Sequence, residues 1–304
     1  MSVKYSRGRF YLLAATCMYK REIKMKQLLN SYLTSFVAML FLIVTGGNVM
    51  AGGLVDTSVE RFLAADFNDS QNITNPWWTL PAGSNFLYFA KEGDDCVWNL
   101  TEVLNATTSN FAGVYAGTNA RIVLDRGWVD EGCESGLNFQ AFIATGPEPE
   151  ESTYDWYAQD SKMNIWYMGE NTYDGDYGGS FTAGCDGAEA GIVLLGNPSK
   201  GAFYEQEFYE GEAEDWGKVV NLTKKNGLKY LKTKEWSPLE PGAIEHKFYR
   251  SNGTFGELFL IEELKGKTVI VDLFATNIVN PPSAERLPIS PIPSCPPFPQ
   301  LPQP

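Results

Sequence analysis

The chain has 304 residues, 44% hydrophobic and 13% aromatic, with 24 Lys and Arg against 37 Asp and Glu and a single His. That composition excludes disorder over most of the length, because it supplies enough aromatic and aliphatic surface for a sizeable core. The formal charge of −13 excludes nucleic acid as a partner, since phosphate neutralisation needs clustered Lys and Arg; one His excludes metal sites built from several imidazoles.

Residues 1–51 read as an upstream extension and a secretory signal peptide. Lys24 and Lys26 precede an uncharged apolar run over 32–45 that is short for a membrane span. Val49-Met50-Ala51 then supplies the small-residue pattern that signal peptidase cuts. Cleavage after Ala51 is expected, leaving a secreted or periplasmic protein with no stable membrane insertion. The segment removed holds seven of the 24 basic residues and one of the 37 acidic ones, so what remains is still more acidic. Such a surface attracts cations.

Residues 52–280 read as one β-rich domain. After a short helix expected over 55–67, apolar or alternating runs recur at 85–90, 121–125, 139–144, 163–168, 191–195, 202–209, 244–249, 257–261 and 268–274, separated by Gly, Asn, Asp and Pro clusters. Their length and β-branched and aromatic content predict strands, and too little chain lies between them for repeated crossover helices. The predicted fold is mainly β, an antiparallel meander sheet or half-barrel with few short helices. Over 203–209, alternation places Phe203, Glu205, Glu207 and Tyr209 on one face and Tyr204, Gln206 and Phe208 on the other. From residue 281 the composition changes: ten of the last 24 residues are Pro, which predicts an extended tail. A protein partner reached through that tail is an expectation whose identity stays open.

Cys96, Cys133, Cys185 and Cys295 follow the leader and can pair in three ways in an oxidising compartment. Cys96 and Cys133 stand in polar, turn-like surroundings suited to a surface bridge. Cys185, among small residues, reads as a buried free thiol, and Cys295 as a tether for the tail.

Several runs point to kinship. NITNPWWTLPAG at 72–83, DWYAQD at 155–160, NIWYMGE at 164–170, AGCDGA at 183–188, YEQE at 204–207, GEAED at 211–215, KTKEW at 232–236 and EHKFY at 245–249 resemble a family of uncharacterised secreted bacterial proteins over roughly residues 72–262. The resemblance implies an exported location and no particular reaction. Relative to that family the chain carries extra sequence between Trp128 and Asp155, with Cys133 inside it, so a Cys96–Cys133 bridge reads as a local addition.

Carboxylates are densest at Asp155, Asp160, Glu170, Asp174, Asp176 and Asp186 and again over 205–215. Hard oxygen donors suit calcium, for which Asp160, Glu170, Asp186, Glu207 and Asp215 are the candidate ligands, although no segment follows the EF-hand spacing. Asp155, Trp156, Tyr157, Gln159, Asp160, Trp166, Glu170, Tyr204, Gln206 and Glu207 are the candidates for an acidic, aromatic-lined groove that takes a small molecule or ion. For any one of them, a solvated surface or cross-strand packing is the ordinary explanation. His246 shares a strand face with Phe248 and reads as a partly buried, hydrogen-bonded histidine. No nucleophile elbow, phosphate loop or dinucleotide fingerprint accompanies it. Noncatalytic binding is the expected function. The alternatives are a glycan-acting hydrolase with Asp160 and Glu170 as paired carboxylates, and a cell-surface structural or interaction protein.

Overall fold

The computed structural model describes residues 62–173, 179–276 and Cys295. The leader, most of the helix expected over 55–67, Asp174, Asp176 and the Pro-rich tail apart from Cys295 lie outside the described residues. Of that helix, Ala64–Asp66 forms a single 3-10 turn.

The domain is built from antiparallel strands: β1 (Asn85–Glu92), β2 (Asp95–Thr108), β3 (Ala120–Asp130), β4 (Glu151–Gln159), β5 (Ile165–Tyr173), β6 (Phe181–Thr182), β7 (Glu189–Leu194), β8 (Phe203–Tyr209), β9 (Ala213–Lys225), β10 (Leu228–Trp236), β11 (Ala243–Ser251), β12 (Gly256–Lys265) and β13 (Thr268–Thr276). Each strand pairs with its neighbour in sequence, except that two-residue β6 rides on β5 and β7 takes the next place in the ring. The ring closes where the first strand meets the last, with Leu87, Tyr88 and Phe89 of β1 opposite Thr276, Ala275 and Phe274 of β13. The expected meander is therefore a closed barrel of twelve strands. Closure pairs each of the twelve ring strands on both sides and removes the exposed edges of an open sheet.

Turn chemistry sets the hairpins. Asn226 and Gly227, the two residues between β9 and β10, both have positive φ (51° and 84°), as a type I′ turn requires. Register breaks at bulges in several pairs, which bend the strands into a ring.

One end of the barrel is covered from inside the chain. Residues 62–84 cross it, held by Asn75, whose side-chain oxygen accepts from Trp77 N (2.8 Å) and Trp78 N (3.2 Å) while its amide donates to Met163 O (2.7 Å). Thr79 N donates to Gly256 O at 2.9 Å. A Cβ at Gly256 would stand 2.3 Å from Pro76 O, so glycine allows this close approach. Ile73, Trp77 and Leu80 join Tyr88, Tyr157, Tyr204 and Tyr249 in the principal core.

A second core lies under the β3–β4 connection. The run 139–144, expected as a strand, instead contains a helix, α1 (Phe139–Ile143). Asn138 caps it by accepting from Ala141 N at 3.1 Å, and Phe139 and Phe142, three residues apart, fall on one face. Phe139 packs 5.3 Å from Trp98 and 5.6 Å from Trp128, ring centre to ring centre. A five-residue apolar run reads alike for helix and strand, and here the cap decides. The Cys96–Cys133 disulfide fixes the same connection to the start of β2. Cys185 is buried, as expected, but it is not free: it is bonded to Cys295.

Candidate functional site

Twelve strands enclose more space than inward-facing side chains fill. A cavity of about 960 Å³ remains in the barrel, with Trp78, Tyr88 and Tyr157 among its lining residues. Among the described residues, twelve carboxylate side chains line it, against one cation, Lys247.

Two bulges decide which residues face this lumen. Asp155 lies opposite Glu170, and Tyr157 opposite Tyr167, so β5 takes three steps where β4 takes two. The extra step passes through Gly169, whose φ is 138° and where a Cβ would stand 2.4 Å from Phe181 O. Both Tyr167 and Glu170 consequently line the lumen. On β8, Glu205 pairs with Trp216 and Glu207 with Asp215, making Gln206 the bulged residue. Strict alternation over 203–209 thus fails: Gln206 and Glu207, expected on opposite faces, both line the cavity.

On the β4–β5 wall the Tyr167 hydroxyl lies 2.5 Å from Asp155 Oδ1 and 2.6 Å from Glu170 Oε2. A hydroxyl has one proton to donate, so holding both contacts requires one of the carboxyl groups to supply the second. Burial, then repulsion from Glu170 and Asp125, holds Asp155 well above the usual carboxylate range. Burial pushes Glu170 up to about 7, against the Tyr167 hydrogen bond. Beside them Glu207 is only 8% exposed and has no hydrogen-bond or ion-pair partner among the described residues. Burial, then the charges of Glu170, Asp215 and Asp155, raises it well above the ordinary value.

Farther round the ring, Lys247 Nζ lies 2.7 Å from Glu235 Oε2 and 3.5 Å from Glu245 Oε1. Burial opposes the lysine charge, but Glu235 and Glu245 outweigh it and keep Lys247 protonated. Burial, with the charge of Glu235 beside it, pushes Glu245 to about 7 against the pull of Lys247, although water still reaches it at 32% exposure. Asp125, on β3, accepts from Thr101 Oγ1 (2.7 Å) and from the Asn99 amide, and burial raises it nonetheless. Tyr204 lies flat across the neighbouring strand, where its partner Gly217 has no Cβ to obstruct the ring. Its hydroxyl is buried without a partner.

Of the residues singled out in the sequence, Tyr157, Glu170, Gln206, Glu207 and Asp215 line the lumen; Asp155 is buried behind it, joined to it through the Tyr167 hydroxyl, and Tyr204 is buried in the core. The others do not join them. Asp160 organises the β4–β5 turn, accepting from Lys162 N, Asn164 N, Asn164 Nδ2 and Trp166 Nε1 at 2.8–2.9 Å. Trp166 packs its ring on Phe62 and Phe67, and Trp156 fills the space beside Gly169 and Phe111. Gln159 latches the N-terminal segment through Thr74 N (2.8 Å) and Thr74 Oγ1 (3.0 Å). Asp186 is exposed in the turn between β6 and β7.

The Asp160–Glu170 pair is also separated. Gln159 pairs with Ile165, and Glu170 is five residues farther along β5, which places the two carboxyl groups about 17 Å apart along the strand. Paired-carboxylate glycoside hydrolysis works at about 5–9.5 Å. Among the described residues, no three His, Cys, Asp or Glu side chains are grouped to hold a metal ion.

Tyr167, Lys247, Glu235, Glu245 and Asp125 are lumen residues that the sequence did not single out. Glu245, Lys247 and Tyr249 alternate with His246 and Phe248 along β11. The latter face is external, with His246 Nδ1 3.3 Å from Glu262 Oε2.

No protein-family model and no curated protein matches the chain. Among solved structures, it is similar to a putative exported protein with YmcC-like fold from Bacteroides fragilis, at 9% identity and a TM-score of 0.31, over 66% of this chain and 96% of that one.

Proposed function

We propose that the chain is an extracytoplasmic, noncatalytic binding protein that takes a polar or amphiphilic ligand into its barrel lumen. The observation that carries this reading is the cavity of about 960 Å³, lined by both carboxylates and aromatic rings. Sites for small organic ligands are concave, of roughly 300–1,000 Å³, and combine apolar area with a few placed polar groups. The lumen has this character: Trp78, Val193, Leu258 and Ile261 supply apolar contact, and Glu170, Glu207 and Asp215 supply charge. An organic ligand suits it better than the calcium ion considered from the sequence, because calcium needs six to eight oxygens converging on one point.

Two disulfides, Cys96–Cys133 and Cys185–Cys295, support an oxidising compartment. The apolar leader ending at Ala51 and the resemblance to secreted bacterial proteins support export.

The test is titration with the neutral fluorophore N-phenyl-1-naphthylamine. Saturable binding is expected, lost in both Ile261→Trp and Val193→Trp, each of which places an indole in the lumen. Undiminished binding in both variants, with melting curves showing that they fold, would place the fluorophore elsewhere and refute the reading. A calcium-dependent rise in melting temperature that Glu207→Gln abolishes would favour the ion instead.

A further inference from the structure

We infer that the ligand is an amphiphilic organic cation whose primary ammonium group is received by Glu207, between the Asp155–Tyr167–Glu170 cluster and Asp215, while its apolar part lies against Trp78, Tyr157 and Leu258. This rests on the lumen-binding reading above and adds the charge and shape of the occupant.

A row of acids alone would not support it, since exposed carboxylates are ordinary surface. Glu207 is different: it is 8% exposed, lines the lumen, and finds no donor among the described residues. A carboxylate at this depth is incompletely hydrated, and among the described residues no donor makes up the loss. Its neighbours cannot supply what is missing. The Tyr167 proton is already contested by Asp155 and Glu170, and Lys247 is engaged by Glu235 and Glu245. Among the described residues the lumen therefore holds carboxylates far in excess of cationic donors. A primary ammonium brings three donors and a positive charge, which answers both shortages.

The rest of the lining argues against a small hydrophilic cation. Val193, Leu258, Ile261 and Leu273 line the same cavity as the acids, and burying an alkyl or ring portion against them adds about 25 cal/mol per Å² of apolar surface. A ligand with one charged end and an apolar body uses both surfaces at once. Binding should release protons, because the cation favours the ionised forms of Glu170 and Glu207, whose charging burial opposes.

The experiment is isothermal titration of the full chain with four probes: dodecylammonium, spermine, octyl glucoside and dodecanoate. Dodecylammonium is expected to bind about tenfold or more tightly than each of the others. Glu207→Gln and Asp215→Asn should each weaken it by about tenfold and leave octyl glucoside unchanged. Its affinity should rise from pH 5.5 to pH 8, with proton release visible as a dependence of the heat on buffer ionisation enthalpy. Octyl glucoside or dodecanoate binding as tightly as dodecylammonium would overturn the inference and leave the lumen reading standing. Spermine binding as tightly would overturn the amphiphilic assignment. Absence of dodecylammonium binding, with N-phenyl-1-naphthylamine still entering the lumen, would overturn the inference alone; loss of both would remove the lumen reading too.

Discussion

Raising the pH should loosen this protein, and Glu170 allows the effect to be isolated. Its carboxyl group is held at about 7 in the folded chain, against 4.5 ordinarily, by burial beside Tyr167 and the charge of Glu151. Between those two values the folded state binds more protons than the unfolded one, so stability falls as pH rises. The interval corresponds to on the order of 3 kcal/mol, an upper figure because part of the side chain meets water. Gln at the same position still accepts from the Tyr167 hydroxyl and cannot ionise. Urea unfolding of the unmutated chain and of Glu170→Gln, at intervals from pH 4.5 to pH 8, measures the difference. The unmutated protein should lose roughly 2–3 kcal/mol more than the variant across that range. Asp155 and Glu207 share the sign, being raised by the same burial, so the variant should retain some of the slope. Identical slopes for the two proteins, or a stability that rises with pH, would refute the placement of Glu170 in a poorly hydrated wall.

Other perturbations test other parts of the structure. Lys247→Met leaves Glu235 and Glu245 facing one another without a counter-charge and should destabilise by on the order of 2 kcal/mol, more at pH 8 than at pH 5, because Glu245 at about 7 is then ionised; chemical denaturation at the two pH values checks it. Gly169→Ala forces a side chain to 2.4 Å from Phe181 O at a φ of 138° and should cost roughly 3 kcal/mol, read as a fall in melting temperature. Removing the Cys96–Cys133 bridge, which spans 37 residues, should cost about 3–4 kcal/mol and open the β3–β4 connection to proteolysis while leaving N-phenyl-1-naphthylamine binding in place. Asn75→Ala removes three hydrogen bonds that hold the segment across the barrel end and should cost about 2 kcal/mol, with faster hydrogen exchange at Trp77 and Trp78.

What could be read in the sequence follows the physics of the sheet. Runs such as 85–90 and 268–274 announce strands because one face of each is apolar, and they became parts of β1 and β13. β2 and β10 are quieter: their inward positions include Asn99, Thr101, Thr233 and Glu235, so polarity does not alternate and the hydrophobic period is masked. The Asn226-Gly227 pair was the available signal for the β9–β10 hairpin. Site residues were legible one strand at a time and no further. Asp155 and Glu207 were identifiable as acids among aromatics, but their meeting depends on bulges at Gly169 and Gln206, which reset the side-chain parity that sequence reasoning assumes. Asp160 misled for a related reason: an acid next to aromatics looks the same whether it lines a groove or caps its own turn, and only the four donors around it distinguish the two.

Barrel width then connects fold to chemistry. A ring of eight strands is filled by its own inward side chains, and an ionised acid pointing into such a dry core would have to be neutralised or paired. Twelve strands leave a solvent-open lumen where acids survive at graded cost. Glu245, at 32% exposure, still meets water and has Lys247 within 3.5 Å. Glu207, at 8%, keeps less of its hydration and finds no donor among the described residues. The gradient gives an entering cation a direction, since the electrostatic gain from a counter-charge is larger where the acid is less solvated. The same residues that weaken the empty barrel at high pH would thus draw a cation inward past the outer acids toward Glu207. A ligand-bound protein should accordingly lose its pH-dependent instability, because the cation replaces the protons that Glu170 and Glu207 otherwise retain. If dodecylammonium stabilises the chain equally at pH 5 and pH 8, those two acids do not form its seat.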